Sequence, residues 1–370
     1  MSLLRRHDRY VLKAFWGSFG AILLFFTIIT IVLHMADRLV RVVRYWQPIK
    51  DRGYDPLAVL VEYYVTFVPF IWLQVVPFAA VLAAAFALSR LTRHNELSPL
   101  VTAGVSTRRI TWPILIAGVL LGMFQLGVQE LLVPHLTRRN MTLERLLNRA
   151  EPDRITRVPH FVDPSGARLS VAAFRPADFR LENALVTLRH LDGRLKELRA
   201  YPELRWDEGE HAWLAEREGT LFQFPYDTGP PQRSRMPTTD EVPLEASLSL
   251  FEVSVLKNGA LGLSGGQTRQ LLEADPDDPR LQLRYHQSYA QAFVPLILLL
   301  LGLPYCLSVG RRSAIPGTIA VLAASAVYYG TIYVTTSLAG AGAFNPAWLG
   351  WFPVVNFGSS GLGLWLTMKS

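Results

Sequence analysis

Residues 14–36 read AFWGSFGAILLFFTIITIVLHMA, 23 consecutive positions without an Asp, Glu, Lys or Arg. A helix of roughly 18 or more apolar residues is long enough to cross the hydrocarbon core of a bilayer. Four further stretches lack charge in the same way, at 63–89, 110–129, 285–310 and 313–368. The first four stretches hold one span each, and the fifth is long enough for two. It breaks at Gly340-Ala341-Gly342-Ala343-Phe344-Asn345-Pro346, a composition that ends one helix and starts another. Six spans are therefore expected, near 14–36, 63–89, 110–130, 286–309, 314–338 and 348–368.

The whole chain agrees with this reading. Of its 370 residues half are hydrophobic and 18% are charged, whereas a soluble domain carries about 25% charged residues. The mean hydropathy is +0.22. These values exclude a soluble enzyme, a secreted scaffold and a nucleic-acid binder. In a membrane chain the net charge of +7 reports topology and contact with anionic lipid. The single cysteine, Cys306, rules out an intrachain disulfide and a thiol metal cluster. Arg5, Arg6, Arg9 and Lys13 precede the first apolar run, but that run exceeds the roughly 7–15 residues of a signal-peptide core. No small-x-small cleavage site precedes Asp37, so the run stays as the first span.

Lys and Arg in the short loops set the orientation. With the N-terminus in the cytoplasm, the cytoplasmic segments carry eleven: four in 1–13, four in 90–109 (Arg90, Arg93, Arg108, Arg109), then Arg311, Arg312 and Lys369. The opposite side carries five, all in loop 37–62. Both termini are expected in the cytoplasm, and the polar segment between spans three and four outside it. Within that segment residues 131–150 read as an amphipathic helix leaving span three. After Pro152 come short β-like runs. Asp163-Pro164-Ser165-Gly166 is turn chemistry, and Asp192-Gly193 between two strand-like runs is a hairpin signal. Asp207-Glu208-Gly209 marks another turn, the proline-rich 226–243 reads as an irregular crossover, and 257–284 as a polar connector back to the membrane. The expected organisation is spans one to three over 1–130 with a cytoplasmic loop at 90–109, a connecting helix at 131–150, an all-β domain at 151–256, the connector at 257–284, and spans four to six over 285–370.

Catalytic chemistry finds little support. There is no phosphate loop and no H-E-x-x-H or paired-Cys metal spacing. Carboxylates are absent from the spans, and only His34 and His286 are ionisable there, both near span ends, where interfacial histidines are common. Residues 263–267, Leu-Ser-Gly-Gly-Gln, repeat the signature of ABC nucleotide-binding domains, which works by offering helix-start N–H groups to a phosphate. Without a partner phosphate loop it reads more simply as the start of a short helix at Ser264 or Gly265. Ala79, Ala83 and Ala87, and Gly118 with Gly122, form small-residue faces suited to packing within the chain or to a dimer contact. Prolines 69, 77, 295 and 304 interrupt spans two and four. In loop 90–109, Asn95 is placed to cap a short helix holding Glu96, Leu97, Leu100 and Val101, stopped by Gly104. Its tip carries a carboxylate beside an apolar face.

Taken together, three spans, a β domain and three spans resemble the LptF/LptG (YjgP/YjgQ) family of lipopolysaccharide-export permeases. The resemblance runs through DRYVLKAF (8–15), NELSPLVTAGVSTRRITWPIL (95–115), QELLVPHL (129–136) and YAQAFVPLILLLLGLPYCL (289–307). The fold it implies is a polytopic α-helical inner-membrane protein of six spans with an inserted periplasmic β-jellyroll-like domain. It implies one half of the membrane unit of an ABC-type exporter. That exporter draws lipopolysaccharide or a related glycolipid from the inner membrane and passes it to a periplasmic bridge of LptC/LptA type. The partners implied are a second LptF/LptG-type permease and a cytoplasmic LptB-type ATPase dimer that binds the ATP. The permease itself needs no cofactor and no metal. Glu96, Leu97 and Leu100 then become the contact to the ATPase. Other ABC-type mechanotransmission permeases, and a membrane assembly protein without transport, are the competing readings.

Loop 37–62 opposes the charge rule that the other loops obey. Arg38, Arg41 and Arg44 recur every third residue directly after span one, on a stretch that can continue its helix. At about 100° per residue they fall within about 120° of arc, forming one basic stripe beside Leu39, Val42 and Val43. Snorkelling to lipid phosphates is one role. The other is a clamp on the phosphates of the exported glycolipid, for which the arginine fork is suited. Lys50 and Arg52 lie beyond Pro48 and are weaker candidates.

Overall fold

The computed structural model describes residues 6–96, 99, 102, 104–149, 154–156, 158, 160–190, 192–226, 229–238, 241–256, 262–308, 315–342 and 344–368. Helix α1 runs over Arg6–Asp51, α2 over Pro56–Arg93 and α3 over Thr107–Gly127, followed by a π-helical turn at Val128–Leu132 and α4 at Val133–Arg149. Seven strands follow, β1 (Phe161–Val162), β2 (Arg168–Arg175), β3 (Arg180–Arg189), β4 (Leu195–Asp207), β5 (Ala212–Ala215), β6 (Gly219–Gln223) and β7 (Gln232–Met236). The chain then forms α5 (Leu248–Leu256), α6 (Gly265–Ala274), α7 (Pro279–Ala290), a 3-10 turn at Gln291–Phe293, α8 (Val294–Ser308), α9 (Ile315–Gly340) and α10 (Pro346–Leu366). Among the described residues four helical segments are long and apolar enough to cross a membrane: Asp8–Ala36, Pro56–Arg93, Thr107–Leu147 and Pro279–Leu307. Helices α9 and α10 are 26 and 21 residues long.

The chain divides into two compact units. One is helical and takes Met1–Leu39, Phe67–Val133 and Pro279–Ser370; the other takes Val40–Thr66 and Pro134–Asp278. In the helical unit Phe15 and Phe19 of α1 pack with Val76, Ala80 and Leu88 of α2, Ile114 and Leu121 of α3, Leu298 and Leu299 of α8, and Tyr328 of α9. Between helices in lipid, close packing replaces the hydrophobic effect as the cohesive force, so small side chains matter. Ala79, Ala83 and Ala87 are fully buried. A Cβ at Gly122 would overlap the carbonyl oxygen of Ala292, and one at Gly118 would lie 2.6 Å from Cδ1 of Leu299. The small-residue faces are therefore used inside the chain. Pro77 leaves the Leu73 carbonyl without its usual donor four residues on. The Gln125 side-chain amide of α3 donates to that carbonyl at 2.7 Å. On the other side of the same turn Trp72 donates its indole N–H to Thr27 of α1. His34 stacks on Phe67, and His286 accepts from the Trp351 indole, so both histidines are packed against aromatic partners.

In the second unit all strand pairs are antiparallel, in the order β1-β2-β3-β4-β6-β7, with β5 paired to the last residues of β4. The hairpin expected at Asp192-Gly193 joins β3 to β4, with Gly193 at φ 85° and the Arg194 N–H bonded to the Asp192 carboxylate. Asp207-Glu208-Gly209 likewise turns β4 into β5. Pro202, without a donor, sits within β4 opposite Asn183, which adopts φ 50°; the β3–β4 register continues unbroken past them. Asp163 is fully buried and accepts from the backbone of Ser165, Glu245 and Ala246, while Trp213 donates to the Ala246 carbonyl. These bonds pin the return chain where α5 begins, and Phe251 of α5 meets Phe161, Phe174 and Trp213 edge-on. Helix α4 buries Thr137, Asn140, Leu143 and Leu147 along one face, as an amphipathic helix should. Its Arg139 forks onto Glu62 of α2 at 2.6 and 2.8 Å, and its Asn140 donates to the Tyr63 carbonyl and the Thr66 hydroxyl.

Four local expectations change. The 226–243 crossover contains strand β7, which pairs with β6 from Gly219↔Met236 to Gln223↔Gln232. The 257–284 connector holds α6 and the start of α7. Pro48 lies inside α1, because a helix tolerates one lost bond when its flanking turns are intact, and Lys50 stays on that helix. Asn95, expected to open a helix, takes φ 54° and terminates the preceding one, while residues 97 and 98, which it would cap, lie outside the described residues.

Candidate functional site

The loop between α2 and α3 begins with a helix-stop motif. Asn95 takes the left-handed conformation, its N–H bonds to the Thr92 carbonyl at 3.1 Å, and the Glu96 N–H reaches the Leu91 carbonyl at 2.9 Å. This is the paired 5→2 and 6→1 pattern that closes helices, with Asn filling the position usually held by Gly. Glu96 is thus placed by the end of α2. Its carboxylate accepts a hydrogen bond from the Tyr10 hydroxyl of α1 at 3.0 Å, in an exposed setting. Leu97, Leu100 and Val101 lie outside the described residues. Gly104, at φ 82°, turns the chain toward α3, where Ser106 caps the first turn by accepting from the Arg109 N–H.

Two adjacent arginines open α3 and point to different helices. Arg109 forms an ion pair with Asp8 of α1 at 2.7 Å, the Asp8 side chain being 1% exposed. Arg108 donates to the carbonyls of Leu366 and Met368 at the end of α10, Met368 at 3.0 Å. A cation there satisfies carbonyls that lack helical donors and complements the helix dipole. Trp365 adds a bond from its indole to Thr111 at 3.0 Å. The start of α1, the α2–α3 loop and the end of α10 therefore meet in one place. Sequence reading used Arg108 and Arg109 only as topology charges and missed Asp8 and Tyr10. The usable signal was the Arg pair at a helix start together with a lone acid at residue 8.

Arg38, Arg41 and Arg44 all lie on α1, which continues unbroken through them. Arg38 is half-buried, while Arg41 and Arg44 are exposed. Of the apolar neighbours Val42 is buried, and Leu39 and Val43 are exposed. The Leu-Ser-Gly-Gly-Gln signature at 263–267 is a separate feature of the chain. That signature has a local explanation: Ser264 accepts from the Gln267 N–H at 3.1 Å, and the Gln267 side chain accepts from the Ser264 N–H at 3.1 Å. This reciprocal capping box is what Ser-x-x-Gln does at a helix start.

Among known proteins, the family described as lipopolysaccharide export system permease LptF/LptG matches residues 9–369. A search of curated proteins gave no match. A match over nearly the full length, on a chain whose described residues include four helical segments long and apolar enough to cross a membrane and a β-sheet after α3, fixes the kinship: this protein belongs to the LptF/LptG family of lipopolysaccharide export permeases.

Proposed function

We propose that the chain is a six-span permease subunit of an ABC-type exporter that lifts lipopolysaccharide, or a related phosphorylated glycolipid, out of the inner membrane. Helices α9 and α10 supply the fifth and sixth spans, and the β unit, with a jellyroll-like course, lies on the periplasmic side. Both termini and Glu96 face the cytoplasm. The observation that carries this reading is the meeting of the start of α1, the loop at Glu96 and the end of α10, joined by Tyr10–Glu96, Asp8–Arg109 and Arg108–Met368. An even number of spans returns both termini to one side, next to the loop after span two.

In this mechanism the permease has no cofactor and hydrolyses no ATP. A cytoplasmic LptB-type ATPase dimer docks on Glu96, with Leu97 and Leu100 beside it, and a second LptF/LptG-type chain completes the membrane unit. Arg38, Arg41 and Arg44 bind the lipid phosphates, and the β unit hands the lipid to an LptC/LptA-type bridge. A different mechanotransmission permease would carry its extramembrane domain after the first of four spans, whereas here the strands follow α3. Purification in mild detergent tests the proposal. A cytosolic ATPase and a phosphorylated glycolipid should accompany the chain, and recovery of neither would refute it. Impermeant labelling of Gly193→Cys in a Cys306→Ser chain should occur without lysing the inner membrane; labelling only after lysis would reverse the orientation.

A further inference from the structure

We propose that Tyr10 is a positioning residue for Glu96, and that the first turns of α1 hold the coupling loop at both of its ends. The proposal rests on the reading of Glu96 as the carboxylate that docks the ATPase. The helix-stop motif fixes the Glu96 main chain through its N–H on the Leu91 carbonyl. It leaves the side-chain torsions of a long, flexible residue undetermined. The Tyr10 hydroxyl supplies the missing constraint by donating to Oε1 at 3.0 Å. A carboxylate has about four acceptor sites on two oxygens, so one phenol donor orients the group and leaves Oε2 open to a cation of the partner.

The same helix grips the far end of the loop. Asp8, two residues before Tyr10, is buried and paired with Arg109 just after the Ser106 cap. The loop from Glu96 to Arg109 is thus tied to α1 on both flanks, by an exposed hydrogen bond at its start and a half-buried ion pair at its end. Arg108 takes the other direction, toward the carbonyls of α10. A push on the loop is delivered to α1, the helix whose continuation carries Arg38, Arg41 and Arg44.

A double-mutant cycle on the complete permease with its LptB-type ATPase tests this, with affinity as the readout. Tyr10→Phe keeps the ring and removes only the donor. It should weaken ATPase binding about three- to tenfold while Glu96 is present, in the lower part of the range of coupling between touching side chains. In a Glu96→Ala chain the same substitution should have no effect. A structural role would weaken binding in both backgrounds, and equal losses in the two would overturn the proposal. So would unchanged affinity for Tyr10→Phe alone. If Glu96→Ala itself binds the ATPase normally, the docking reading fails first, and the proposal falls with it.

Discussion

Gln125 donates its side-chain amide to the carbonyl of Leu73, the group that Pro77 leaves without a helical partner. A helix inside a membrane cannot leave a carbonyl to water, so a proline there needs a donor from a neighbour. Helix α3 provides it, so the proline and its clamp form one unit. Gln125→Leu should destabilise the permease by about 1–2 kcal/mol, the worth of an interhelical hydrogen bond in lipid. In a Pro77→Ala chain, where the backbone N–H returns, that loss should shrink toward zero. Thermal unfolding in detergent across the four chains measures the coupling, and an equal loss in both backgrounds would contradict the clamp.

The approach of α3 to the 3-10 turn before α8 requires glycine at 122. Gly122→Val should sharply reduce folded permease, because the added carbons meet the backbone of Ala292 and not a movable side chain. Gly127→Ala, one turn further on with open space around it, should be neutral. Yields after size-exclusion chromatography compare the two.

Ser264 acts as a helix cap. Ser264→Ala should cost about 0.5–2 kcal/mol of local stability through α6. ATP turnover of the assembled exporter should stay the same, and also with Gln267→Ala. A large fall in turnover with intact folding would give the Leu-Ser-Gly-Gly-Gln segment a role in ATP chemistry.

The β3–β4 hairpin carries a pH signature. The Arg194 backbone N–H, helped by the Tyr226 hydroxyl, holds the Asp192 carboxyl below its ordinary range. A depressed carboxylate stabilises the fold fully above its unfolded value of about 3.9 and loses that contribution as pH falls through the folded value. Hydrogen exchange at the Arg194 amide should therefore show constant protection from pH 7 down to about 5, and added opening only in stronger acid. Asp192→Asn should remove the acid-induced step.

Spans one to four were legible because charge vanishes over lengths that only a bilayer needs, and the Asp192-Gly193 and Asp207-Glu208-Gly209 turns because their residue types dictate the backbone. Strand β7 was not legible, since its exposed Gln232, Arg233, Ser234 and Arg235 show no apolar alternation. Asn95 was misread because Asn both caps helix starts and tolerates positive φ; only the bonds to Thr92 and Leu91 decide between them. The Tyr10–Glu96 and Asp8–Arg109 pairs join residues 86 and 101 positions apart. Such pairings depend on tertiary placement, which one sequence without its fold does not contain.

The central claim is that this chain carries lipopolysaccharide past α1 under the power of ATP. A photocrosslinking residue at Arg41, exposed on α1, tests it most directly in the assembled exporter. The account predicts a lipopolysaccharide adduct that disappears when ATP and the bridge protein are supplied. It also predicts a weaker adduct when Arg38 and Arg44 are both replaced by Gln, with membrane insertion and ATPase association unchanged. An adduct that ATP leaves untouched, or none at all from Arg41, would contradict it.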